Sequence, residues 1–114
     1  MDELPLWEQI KECHRMLDLA LKECKERGRR MVLNKAAYYS AKACAAFAMK
    51  EEGYPVTFIA LVIKGDPDVA KAMTEYNMAE VEYENAKEAR NVWKKKHDAI
   101  REEYQREWSS AGME

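Results

Sequence analysis

Hydrophobic residues recur at steps of three and four from the start of the chain: Trp7, Ile10, Cys13, Leu17, Leu21 and Cys24. That spacing puts them on one face of an amphipathic helix. Gly28, inside "KERGRR", interrupts the pattern. A single glycine costs only about 1 kcal/mol in a helix interior, so this break is a kink or a true turn. The pattern resumes over residues 31–52, where seven alanines (36, 37, 41, 43, 45, 46 and 48) alternate with Tyr38, Tyr39, Phe47 and Met49. Small residues let a neighbouring helix approach closely, and the aromatics fill the gaps. Gly53 stands where a helix ordinarily stops.

The last pattern is the longest. Asp66 suits an N-cap, Pro67 the first helical position, and Asp68 the first turn, where the helix dipole favours an anion. Met73, Tyr76, Ala79, Tyr83, Ala86, Trp93, His97, Ile100, Tyr104 and Trp108 then recur near a 3.5-residue period, with no further glycine before Gly112. A helix over residues 67–108 would be about 63 Å long, and residues 7–52 would reach about 69 Å. A compact domain of this size is only roughly 35 Å across. The expected fold is therefore all-α: a long antiparallel helical hairpin over residues 1–114, with an arm at 7–52 broken near 28, a hinge at 53–66 and a long helix at 67–108. Two helices bury a single seam, so dimerisation into a helical bundle is expected as well. The stripe of Tyr76, Tyr83, Trp93, Ile100, Tyr104 and Trp108 is the expected long-helix interface.

The hinge departs from this rhythm. "VTFIALVI", residues 56–63, has no charge and only Thr57 is polar. Its β-branched content suits a strand, but a lone strand has no partner for its backbone groups. Pro55 and Gly65 supply a start and a stop for a short helix, which is the favoured reading. Apolar nearly all round, it should be buried on more than one side. It caps the open end of the hairpin, or it is a dimer contact or partner-binding knob made of Val56, Phe58, Ile59, Leu61, Val62 and Ile63.

Composition supports the helical reading: 114 residues, 47% hydrophobic and 35% charged, with only three prolines and four glycines. The longest uncharged run falls far short of the roughly 20 residues that span a bilayer. "MDELPLWEQIKEC" lacks the basic n-region of a signal peptide. No membrane association and a cytoplasmic location are therefore expected. Cys13 and Cys24, about 16 Å apart along one helix face, are too distant for a disulfide. With Cys44 they read as small hydrophobes on a buried face.

Catalytic chemistry is sparse. There is no HExxH, CxxC, GxSxG or glycine-rich phosphate loop, and neither His14 nor His97 has the Glu three residues before it that a di-iron helix needs. Adjacent Cys13 and His14 point to different helix faces, so no metal and no cofactor are expected, and His97 reads as a core or interface residue. Glu80, Glu82, Glu84 and Glu88 diverge around a helix and read as a solvated face. "KGD" at residues 64–66 is a helix stop followed by an N-cap.

Charge is segregated more sharply. Residues 25–50 hold seven positive and one negative side chain, residues 51–84 two and eight, and the whole chain sums to −2. Arg27, Arg29 and Arg30, with Lys35 and Lys42, are candidate partner- or phosphate-binding residues, because guanidinium forks match phosphate. Alternatively the basic arm and the acidic segment neutralise each other across the hairpin, with Asp68, Glu75 and Glu80 the expected partners of the arginines. An acidic total disfavours a strong nonspecific DNA binder.

The runs "AAYYSAKACAAF", "EEGYPVTFIALVIKGDPDVA" and "REEYQREW" resemble small helical accessory proteins of phages and prophages of Gram-positive bacteria. Tyr39, Lys42, Gly53, Pro55, Thr57, Lys64-Gly65, Val69-Ala70 and Arg106-Glu107-Trp108 carry the resemblance, which covers residues 36–108 and carries no catalytic motif. It implies a non-enzymatic protein working among recombination, replication or counter-defence functions of a bacterial host cell. A host protein is the expected partner, with a nuclease defence such as a CRISPR effector one target. The alternatives are a DNA-binding recombination or replication factor and a virion structural or assembly protein.

Overall fold

A computed structural model describes residues 4–112. The chain is all-α. Helix α1 is Leu6–Glu51, α2 is Val56–Val62, followed by a 3-10 turn at Ile63–Gly65, and α3 is Pro67–Gly112. The hinge is thus a short helix, as its proline and glycine signals predict.

The boundaries follow local chemistry. At the start of α1 the Pro5 carbonyl accepts the first backbone bonds, from Glu8 and Gln9 at 3.0 Å each. At its end Gly53 adopts φ 92°, a conformation that side chains disfavour. The Gly53 amide donates to the Lys50 carbonyl and the Tyr54 amide reaches back to that of Met49, which is the Schellman closure. Asp66 caps α3: its Oδ1 accepts the Asp68 and Val69 amides at 3.0 and 3.2 Å.

The break expected near Gly28 is absent; α1 runs through it. The reason is packing. A Cβ on Gly28 would stand 3.1 Å from the Tyr83 ring, so this glycine admits an aromatic ring against the helix backbone. α3 also continues beyond the expected residue 108.

Contacts divide the chain into two compact units. In the unit of residues 26–83, Arg27 meets Glu82 and Tyr38 stacks on Tyr76, so α1 and α3 run antiparallel there. Its core is Tyr38, Ile59, Ile63 and Val69, with Ala41, Ala45, Ala46, Met49, Ala72, Met73 and Tyr76 packed around them. Alanines on α1 leave room for α2 to close over this seam. In the unit of residues 4–25 and 84–112, the buried side chains are Cys13, Cys24, Ala86 and His97. Cys13 and Cys24 thus occupy the buried face expected of them, whereas Cys44 is exposed.

Candidate interaction surface

Helix α2 has no polar face, and that dictates the surface around it. Ile59 and Ile63, four residues apart, point into the core at 7% and 5% exposure. Seven residues cannot direct every apolar side chain inward, so Val56, Phe58 and Leu61 remain 71%, 43% and 83% exposed. Val62 is intermediate. The expectation that this segment is buried on more than one side is therefore overturned. α2 caps the α1–α3 seam with one face and leaves the others in solvent. Tyr54 stacks on Phe58 with ring centres 5.2 Å apart, at the start of the same element.

Beside α2 an open groove of about 370 Å³ runs along α1, lined by Tyr39, Lys42, Ala43, Ala46, Val56, Ile59, Ala60 and Ile63. Most of its lining is apolar. Lys42 Nζ lies 5.6 Å from the Tyr38 ring centre and Lys35 Nζ 6.0 Å from that of Tyr39. Neither ammonium has a carboxylate partner among the described residues; Lys42 lines the apolar groove, and Lys35 lies near the ring of its lining residue Tyr39. Tyr39, Ala43 and Ala46 had no assigned site role in the sequence reading. The signal was present: Val32, Ala36, Tyr39, Ala43 and Ala46 step by four and three, a second stripe beside the core stripe of Tyr38, Ala41, Ala45 and Met49.

The arginines separate. Arg27 and Arg30 both engage Glu82, Arg30 Nη1 at 3.6 Å, whereas Arg29 Nη2 pairs with Glu26 at 2.9 Å on its own helix. The partners expected across the hairpin, Asp68, Glu75 and Glu80, are not the ones used. Glu82, read as part of a solvated face, joins the two helices through Arg27 and Arg30. The Arg29 hydrogen bond holds the Glu26 carboxyl below its ordinary range and raises Arg29 itself. The Arg15 hydrogen bond does the same to Glu12. The three arginines thus form no single anion cradle; two guanidiniums share one carboxylate and the third is paired locally.

Of the long-helix stripe, Tyr76, Tyr83, Trp93, Ile100 and Tyr104 are half-buried. Tyr76 stacks on Tyr38 at 6.1 Å, and Tyr104 meets Trp108 edge-on at 6.5 Å. Trp108 itself is 61% exposed. Among the described residues no three His, Cys, Asp or Glu side chains gather to hold a metal, and no helix is long and apolar enough to cross a membrane.

The fold and surface define an all-α protein with an exposed apolar hinge. No family model, curated protein or solved structure matches the chain.

Proposed function

We propose that this chain is a non-enzymatic accessory protein of the phage type, acting in the bacterial cytoplasm by binding a host protein through the exposed side of α2 and the adjoining groove. The observation that carries this reading is the unpartnered apolar face of α2, Val56, Phe58 and Leu61, continuous with a groove lined by Lys42, with Lys35 near the ring of its lining residue Tyr39. The chemistry fits one occupant best: an amphipathic helix whose apolar stripe fills the groove and whose acidic flanks meet the two lysines. A nuclease of a host defence system is the favoured owner of that helix, on the resemblance of the 36–108 pattern to phage accessory proteins. Contact through nucleic acid is less favoured, because each of the three arginines already holds a carboxylate.

The test compares the native protein with Leu61→Asp and Lys42→Glu as baits in host extract. Leu61 is exposed, so Leu61→Asp should keep its native circular dichroism. A protein retained by the native bait and lost from both variants is the expected result. Equal retention by all three baits, or recovery of nucleic acid alone, would reject the reading.

A further inference from the structure

From residue 31 to residue 49 the only charges on α1 are Lys42, which lines the α2 groove, and Lys35, beside the ring of Tyr39. The far side of the helix is uncharged. There Leu33, Ala36, Ser40, Ala43 and Phe47 step by three, four, three and four, which sets them in one line down the helix. All five are exposed, Leu33 at 56% and Phe47 at 66%. The core of the unit takes Tyr38, Ala41, Ala45 and Met49 from the other side of α1. Single exposed hydrophobes are ordinary on a surface. Here Leu33, Ser40 and Phe47 repeat every seven residues and Ala36 and Ala43 repeat between them, the a and d positions of a heptad seam.

We infer that this face of α1 pairs with the same face of a second copy of the chain, antiparallel, about a two-fold axis at Ser40. The pattern reads nearly alike in both directions from that residue. Leu33 and Phe47 lie seven positions to either side, with Ala36, Ala37, Ala43 and Cys44 between. A two-fold axis sets each position against its counterpart. Small side chains then meet at the centre, where the helices come close, and Leu33 of each copy meets Phe47 of the other. Charge selects the direction. Eleven positions out, the counterparts are Arg29 and Glu51, both exposed. Antiparallel pairing joins these opposite charges at both ends, whereas parallel pairing would set Arg29 on Arg29 and Glu51 on Glu51. Arg29 holds Glu26 at 2.9 Å, but its side chain is 63% exposed, which leaves guanidinium N–H groups for a second carboxylate. Ala43 also lines the α2 groove, so the seam and the groove share that edge. Tyr76, expected at the interface, is instead stacked on Tyr38 within the chain.

The axis position can be tested by cross-linking. An axis at Ser40 brings the two copies of this residue together, whereas Cys44 is separated from its own copy by eight residues, about 12 Å along the helix, beyond disulfide reach. Ser40→Cys combined with Cys44→Ser, oxidised with diamide at micromolar concentration, should give a covalent dimer on a non-reducing gel. The native chain treated alike should run as a monomer, since Cys13 and Cys24 are buried and Cys44 is out of reach. Ala36→Glu, at an exposed position, should keep the native circular dichroism and halve the mass measured by light scattering. Cross-linking of native Cys44 as fast as that of Ser40→Cys would mean parallel helices and reject the arrangement. Absence of the Ser40→Cys dimer, or a light-scattering mass unchanged in Ala36→Glu, would overturn the seam.

Discussion

Gly28 and Asp66 show how far a single residue can be understood from its own chemistry. Asp66 is self-sufficient: its carboxylate accepts two amides of the turn that follows it. Asp66→Ala should cost about 1 kcal/mol of unfolding free energy, measured by urea denaturation, with Asp66→Asn recovering most of it. A loss below a few tenths of a kcal/mol would mean the cap is dispensable. This cap was legible in the sequence, because everything it needs lies within three residues. Gly28 was not. Its role depends on Tyr83, 55 positions away along the chain, whose ring would stand only 3.1 Å from an added Cβ. Glycine has two common uses in helices, interruption and close approach, and only the partner distinguishes them.

At the scale of the element, α2 carries the same lesson. Its existence and type were readable from Pro55, Gly65 and the lack of any partner for a strand. Its orientation was not, because a segment apolar all round has no periodicity to reveal which face turns inward. The structure picks out Ile59 and Ile63, and this separates two substitutions that look equivalent in the sequence. Ile59→Asp places a carboxylate in the Tyr38–Val69 cluster and should cost several kcal/mol, lowering the melting temperature steeply or preventing folding. Leu61→Asp should melt near the native temperature. Thermal unfolding followed by circular dichroism decides between them; similar melting of the two variants would mean that α2 is not seated as described. The arginine partners were misjudged for a related reason. Charge balance between the arms was visible in composition, but the register that selects Glu82 over Glu75 or Glu80 is set by side-chain packing such as Tyr38 on Tyr76.

For the whole molecule, helix content and helix ends were legible because they follow from caps and periodicity. Which apolar residues stay in solvent was not, because that depends on how many neighbours each helix acquires. Val32, Leu33, Met78 and Val81 are 56–61% exposed on α1 and α3, in addition to the α2 face. Exposed aliphatic side chains at this density are what pairing of two copies would cover. Light scattering at micromolar concentration should therefore give twice the chain mass of 13.3 kDa. A value of one chain mass would leave these residues as solvent-facing and the homodimer without support.

The uneven placement of the three cysteines opens a route to that measurement. Cys13 and Cys24 are buried while Cys44 is exposed, so a maleimide nitroxide added to the native protein should modify one position on α1 and spare the other two. Each chain then carries one unpaired electron at a known residue, with no substitution needed. In a pair of copies the two electrons couple magnetically, and pulsed dipolar spectroscopy turns that coupling into a separation in ångströms. In isolated chains the coupling vanishes.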